Sequence, residues 1–247
     1  MNPYGGDSDD FYVNVNLNTE MELPTNRDTV LHFFEQMRKA FPDLHNFYTR
    51  ESGDLVLEGD PDAESYRWVA IEPRRLCTGH VNPESLEEAY RQHEMVLELA
   101  PHLLTISLLD CEALDVMYGF DFNYEGNHND VVAEALGVGS AFEGFGELPG
   151  ARVLNFEPSI TFALDPPCRL QARLTVETRT TANHVRTGEF PDEQISLYFT
   201  VRQYWGTGPE NSFLESFRKQ REVGEDVLRR IVIPRIVRPL AQAIASR

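Results

Sequence analysis

The sequence predicts an α+β protein: a ferredoxin-like β-α-β-β-α-β half, then a three-stranded antiparallel meander and a long C-terminal helix. Three observations predict this class. Apolar and polar residues alternate over several long runs, which is typical of strands with one buried face. Between these runs, apolar residues recur at helical spacing. The chain has 247 residues, of which 41% are hydrophobic, and this is enough to bury a sizeable core.

The first predicted strand covers residues 11–23. Apolar residues and Thr19 occupy its odd positions, and its even positions are polar and include Asn14, Asn16 and Asn18. We interpret this asparagine row as the solvated face of a half-buried strand. Pro24 ends the strand, and the next apolar residues have helical spacing: Val30, Phe33, Phe34, Met37 and Phe41.

A hairpin, a second helix and a further strand complete the first half. Residues 54–58 and 66–72 are predicted strands separated by a Gly-Asp-Pro-Asp turn. Asn82 and Pro83 supply a cap and a first residue for a helix that ends before Pro101. Residues 114–124 alternate again, with the even positions apolar. This order of elements is the ferredoxin-like one.

We divide the chain into four parts that we expect to form one compact unit. Residues 1–10 are predicted to be a disordered acidic N-terminus and 11–136 the ferredoxin-like half. Residues 137–150 contain five glycines, which lose much backbone entropy when ordered, and we interpret them as a joint or, alternatively, a lid. Residues 151–247 are predicted to form the meander and the C-terminal helix, which Pro234 and Pro239 kink or divide into segments.

The composition limits the classes of partner. The formal net charge is -18, which argues against binding to nucleic acid because phosphate contacts need excess Lys and Arg. No apolar run is long enough to span a bilayer, and the first residues lack the pattern of a signal peptide. Three widely spaced cysteines indicate reduced thiols and a cytoplasmic location. Only two of the 22 basic residues are lysine, which either genome composition or adaptation to high salt would explain.

One short motif resembles a metal-binding signature. Residues 126–130 read Gly-Asn-His-Asn-Asp, which is similar to the Gly-Asn-His-Asp/Glu motif of calcineurin-like phosphoesterases. Residues 43–45 and 59–62 resemble two further motifs of that family, but the second Asp of the middle motif is one residue too early. Only His184 follows His128, so the Gly-His-x-His motif of the family is absent. We therefore predict a turn and a helix start at this motif, with no metal.

The preferred functional hypothesis is a non-catalytic binding or assembly module with a protein partner or a second copy of itself. We predict no catalytic residue, no metal and no cofactor. The alternative is a small-molecule-binding or hydrolase-like protein with an apolar pocket under the C-terminal helix and a Gly/Phe lid. A weaker alternative is peripheral membrane attachment through the Arg-rich C-terminal helix. The candidate ligand-binding residues are His128, Asp121, Asp130, Phe142 and Phe145.

Overall fold

The computed structural model describes residues 4, 6–139, 141–206 and 212–247. These residues form nine strands and seven α-helices. The strands are β1 (Asp10–Thr19), β2 (Asn46–Thr49), β3 (Leu55–Glu58), β4 (Tyr66–Glu72), β5 (Arg75–Val81), β6 (Cys111–Asn123), β7 (Ser159–Ala163), β8 (Leu170–Glu177) and β9 (Gln194–Tyr204). The helices are α1 (Arg27–Ala40), α2 (Leu86–Leu103), α3 (His128–Leu136), α4 (Glu143–Gly146), α5 (Ala182–Thr187), α6 (Phe213–Val227) and α7 (Arg238–Ala245).

All nine described strands belong to one sheet, in the order β2-β3-β4-β5-β1-β6-β9-β8-β7. Every pairing in it is antiparallel. The central strand is β1, where Val15 lies between Thr78 of β5 and Val116 of β6. Alternate residues of β1 are fully buried on one side of the sheet and half-buried on the other, as the alternation of the sequence predicts.

A helical layer covers one side of the sheet. Helices α2 and α6 contact its central strands, and α1 contacts α2. Helix α6 approaches closely because Gly224 has no side chain: a Cβ there would lie 2.8 Å from Cε2 of Tyr118. Gln220 then donates hydrogen bonds to the carbonyl oxygens of Leu114 and Val201, at 2.7 and 2.9 Å. A buried amide thus fixes the helix to two neighbouring strands.

The predicted α+β class and the helix at the C-terminal end are confirmed, but the ferredoxin-like arrangement is not. The described sheet has nine strands where a ferredoxin-like unit has four, and α1 leads to the added strand β2 at the sheet's edge. The sequence analysis missed β2 and did not separate β5 from the strand before it. The last three strands do not form a separate meander, because β9 continues the nine-stranded sheet beside β6.

The C-terminal helix continues through both prolines. Ser212 caps its start by accepting the N–H of Glu215 at 3.1 Å. Between α6 and α7 the chain forms a π-helical segment, Leu228–Val237, which contains Pro234. The helix is thus divided into segments around its two prolines, since proline cannot supply the N–H of a regular α-turn. No helix in the described part of the chain is long and apolar enough to cross a membrane.

The structure describes parts of the predicted N-terminal segment and of the predicted joint or lid. Residues 1–3 and 5 of the predicted N-terminal segment, and residue 140 of the glycine-rich one, lie outside the described residues. The ring of Tyr4 packs edge-on against Phe11, with ring centroids 5.3 Å apart. The glycine-rich segment contains the short helix α4, and its Phe142 and Phe145 are 61% and 67% exposed.

Candidate functional site

The side of the sheet opposite to the helices forms what we call the open face. It presents the even-numbered side chains of β1, namely Tyr12, Asn14, Asn16 and Asn18, together with the residues paired with them on both neighbouring strands. The asparagines that we interpreted as a solvated row are only half-exposed. The Oδ1 atom of Asn14 is buried and has no hydrogen-bond partner among the described residues. This acceptor lies beside Gly79, at the base of the open face.

Two glycines shape the floor of the open face. Gly119 lies directly opposite Tyr12, and a Cβ at Gly119 would fall 2.1 Å from Cε2 of that ring. Gly79 lies opposite Trp68, and a Cβ there would fall 2.3 Å from Cε2 of the indole. Both aromatic rings thus lie across a glycine in the neighbouring strand, which only a residue without a side chain permits. Two rings are held against the sheet surface in this way.

An acidic cleft of about 1080 Å³ lies above this floor. Its walls come from the start of β1, from the connection between β3 and β4, and from the chain between β5 and α2. Lys, Arg and His are absent from the described residues that line it, whereas six carboxylates are present: Asp9, Asp10, Asp62, Glu64, Glu84 and Asp121. A smaller cavity of about 500 Å³ shares Asp121 and Gln194 with the cleft and extends it toward β9.

Asp121 connects the floor of the cleft to its acidic wall. The hydroxyl of Tyr12 donates to Oδ1 of Asp121 at 3.3 Å. Burial raises the pKa of Asp121 above its usual range, against the lowering effect of hydrogen bonds from Ser196 and Tyr12. Burial and the nearby Asp121 carboxylate also raise the pKa of Tyr12. The phenol therefore stays protonated and fixes the carboxylate in place.

A different group of charges occupies the other end of the open face. Arg202 forms a bidentate pair with the buried Asp115, with Nε–Oδ1 and Nη2–Oδ2 distances of 2.5 and 2.6 Å. Asn18 adds a hydrogen bond from its side-chain amide to Oδ2 of Asp115 at 3.2 Å. The hydrogen bonds that Arg202 donates to Asp115 raise the pKa of Arg202, so its guanidinium stays charged. Arg75 and Arg173 line the same cavity of about 370 Å³.

Below the cleft, on the helix side of the sheet, two histidines are buried. Burial lowers the pKa of both His80 and His93 to about 3, so both are neutral near pH 7. Oγ of Ser65, at the wall of the cleft, lies 3.3 Å from Nε2 of His80. An imidazole with so low a pKa is a weak general base, and Nδ1 of His80 has no partner among the described residues. This pair therefore lacks the properties of an activated nucleophile.

The five residues that we predicted as a ligand site do not converge. His128 is fully buried at the start of α3, where its Nδ1 accepts the N–H of Arg179 at 3.1 Å and its Nε2 donates to the carbonyl oxygen of Tyr124 at 3.0 Å. Asp130 pairs with Arg247 at 3.0 Å. Asp121 lines the acidic cleft, whereas the exposed Phe142 and Phe145 are not among its lining residues.

The residues of the phosphoesterase-like motifs also have other partners. The carboxylate of Asp43 pairs with Arg67, and Nδ1 of His45 contacts the carbonyl oxygen of Asp43 at 2.6 Å. Within the described ranges, no three His, Cys, Asp or Glu side chains are grouped closely enough to hold a metal ion. The carboxylates of the acidic cleft are thus spread over its walls.

Sequence reasoning missed the cleft, although one signal was present. Gly79 and Gly119 interrupt strands, and a glycine inside a strand often marks close approach of another group. Which ring lies across each glycine depends on strand pairing. Tyr12 and Gly119 are more than a hundred positions apart in the chain, so their pairing could not be deduced from local pattern.

Comparison with known proteins identifies no family. No protein-family description matches the chain, and none of the curated proteins matches it. One solved structure shows a distant likeness, the rolling circle replication initiator protein from Geobacillus stearothermophilus. Its sequence identity is 7% over 88% of this chain and 78% of that chain, with a TM-score of 0.24. A likeness at this level supports no conclusion on fold or function.

Proposed function

We propose that this chain is a non-catalytic binding protein whose acidic cleft receives the cationic side chains of a basic peptide. The observation that carries the proposal is the combination of six carboxylates and no basic residue around a floor of fixed aromatic rings, among the described residues of the cleft. Lys and Arg side chains have hydrogen-bond donors and no acceptors. The cleft offers the complementary set, the carboxylate oxygens of its six acidic residues.

The aromatic floor adds a second attraction for cations. Tyr12, Tyr66 and Trp68 line the cleft. A guanidinium or ammonium group placed over such a ring gains about 0.5–2 kcal/mol, the larger value where water is excluded. The rings of Tyr12 and Trp68 are already held against glycines, so little side-chain entropy is lost when a ligand binds.

The size of the cleft and the spacing of its charges favour a peptide over a single ion. About 1080 Å³ exceeds the space that one amino-acid side chain fills. Because the carboxylates do not form a group of metal ligands in the described residues, several separate cations would satisfy them better than one divalent ion. The weak basicity of His80 supports binding without catalysis.

The test is a titration with a capped pentalysine peptide, with capped pentaglutamine as the uncharged control. The chain has two tryptophans, so a Trp205→Phe background leaves Trp68 as the reporter on the floor of the cleft. We expect a saturable change in fluorescence with pentalysine, weakening as salt is added. Pentaglutamine should give no saturable change.

Charge removal separates the cleft from the general negative charge of the protein. Glu64→Gln with Glu84→Gln removes two carboxylates of the cleft, and we expect affinity to fall about tenfold. Glu35→Gln with Glu222→Gln makes the same change of charge at exposed positions of α1 and α6 in the helical layer. Equal losses in the two double variants, or no binding by the parent, would contradict the proposal.

A further inference from the structure

Exposed apolar side chains are concentrated in one stretch of this chain. Of the twelve large hydrophobic residues that are exposed in the described part of the chain, seven lie between residues 142 and 164. Three of these belong to β7 or follow it directly: Ile160, Phe162 and Leu164, which are 49%, 56% and 40% exposed. Such a concentration marks an interaction surface more often than scattered apolar residues do.

Strand β7 is also the last strand of the sheet, so one of its edges is unpaired in the described structure. The carbonyl oxygen of Pro158 accepts the N–H of Val176, and the N–H of Leu164 donates to Leu170. Even-numbered residues therefore direct their backbone groups toward β8. Because the direction alternates along a strand, Ser159, Thr161 and Ala163 direct theirs away from the sheet.

The usual protections of an edge strand are missing from β7. It has no charged residue, no proline within Ser159–Ala163 and no irregularity in its register with β8. Native sheets normally protect a free edge by one of these means, or by covering it. A free edge that lacks them is suited to pairing with another strand.

We propose that two copies of this chain associate through β7 in antiparallel register, with the two-fold axis at Thr161. In this register Thr161 faces Thr161 of the second copy, and Ser159 faces Ala163. About six inter-chain backbone hydrogen bonds form, because the three outward-directed residues are the hydrogen-bonded ones. Ile160 then lies opposite Phe162 twice, which is the aromatic–β-branched pairing that stabilises neighbouring strands.

A second copy fits this edge better than the other described edge, β2. Phe47 of β2 packs against Phe34 of α1, with ring centroids 5.6 Å apart, so part of its apolar surface already has a partner. Charged residues Arg50 and Glu51 follow that strand directly. Each copy has a net charge of -18, but β7 itself contains no charged residue, so the two strands that meet do not bring like charges together.

The first measurement is the mass in solution by sedimentation or light scattering. We expect twice the chain mass of 28.2 kDa for the wild type. Thr161→Lys places like charges opposite each other at the axis, and it should yield the mass of one chain. Tyr48→Lys makes the same change of charge on the exposed β2 and should leave the doubled mass.

A disulfide tests the register and does not depend on a disruptive substitution. In a Cys168→Ser background, which removes the one exposed thiol among the described residues, Thr161→Cys should form a reducible dimer on oxidation. Residues at a hydrogen-bonded position on the axis have Cα atoms about 5.5 Å apart, within the range that a disulfide spans. Ser159→Cys, which would face Ala163, should not crosslink.

Single-chain mass for the wild type at every concentration, or equal crosslinking at positions 159 and 161, would overturn the proposal. Thr161→Lys with an unchanged doubled mass would do so as well. These outcomes do not depend on the acidic cleft, since neither substitution is in its lining.

Discussion

Replacement of Gly119 by alanine tests whether the floor of the cleft depends on the ring of Tyr12. The new Cβ would lie 2.1, 2.3 and 2.7 Å from three atoms of that ring. Nonbonded carbon atoms prefer about 3.5–4.0 Å, so the ring has to move by about 1.5 Å. The ring would swing away from the sheet and lose its hydrogen bond to Asp121.

Two opposing effects set the size of the change. Overfilling a packed site costs about 1–3 kcal/mol, and loss of the hydrogen bond adds about 1 kcal/mol. Alanine also restricts the conformations of the unfolded chain more than glycine does, and this stabilises the folded state by about 0.4–1 kcal/mol. We expect the free energy of unfolding to fall by about 2 kcal/mol, measured by urea denaturation. Affinity for pentalysine should fall by at least about fivefold, because a cation–π contact of about 1 kcal/mol is lost.

Gly224→Ala is the matched control on the helix side. Its Cβ would lie 2.8 Å from Cε2 of Tyr118, a buried residue that cannot swing into solvent. This variant should also be less stable, yet it should bind pentalysine with the parent affinity. If Gly119→Ala unfolds at the parent urea concentration and keeps full affinity, our description of the floor is wrong.

Three further variants test the groups around the floor. Arg202→Met should lower the free energy of unfolding, measured by denaturation, by about 2–3 kcal/mol. This is less than the usual cost of leaving a buried charge unpaired, because the side chain of Arg202 is 38% exposed. In a double-mutant cycle with Asp115→Asn, additive losses would refute the coupling between the two residues. His128→Ala should lower the free energy of unfolding by about 2 kcal/mol, because two hydrogen bonds are lost, and should leave the affinity for pentalysine unchanged. Weaker binding of pentalysine by this variant would show that His128 belongs to the ligand site. His80 and His93 have pKa values of about 3 in the folded chain and about 6.5 when unfolded, so the unfolded chain binds more protons between these values and stability falls as pH decreases from about 6.5. Each histidine should lower the free energy of unfolding by about 2 kcal/mol between pH 7 and pH 5. His93→Leu should remove the part of this pH dependence that comes from His93, and denaturation at both pH values measures it.

Local pattern predicted those features that depend on neighbours in the chain. The alternation of β1 predicts which of its side chains are buried, because burial there repeats every second residue. It did not predict that the strand ends at Thr19, where the register with β6 shifts and leaves Met21 69% exposed. The shift depends on the partner strand, which the local sequence does not specify.

The order of the strands in the sheet could not be predicted from local pattern either, because it also depends on which strands pair. Helix α1 could lead directly to the next strand of a four-stranded unit or first to a distant edge, and both choices bury the same apolar stripe of α1. The four-residue strand β2, to which it leads, carries no recognisable alternation. The observed sheet differs from the ferredoxin-like one in its nine described strands, of which β2 and β3 come between α1 and β4.

The candidate site was predicted least well. His128 attracted attention as an unexplained histidine, but its ring is occupied by backbone groups of Tyr124 and Arg179. The second of these follows it by 51 positions, so its contact was not predictable. Asp121 alone of the five predicted residues lines the acidic cleft.

The most direct test of the central claim is a map of backbone amide shifts by nuclear magnetic resonance as capped pentalysine is added. If the open face is the binding surface, the amides of Asn14, Gly79 and Gly119 should shift in a saturable manner while that of Gly224 stays unchanged. Shifts confined to the helical layer, or unsaturable shifts spread over all acidic regions, would contradict the account.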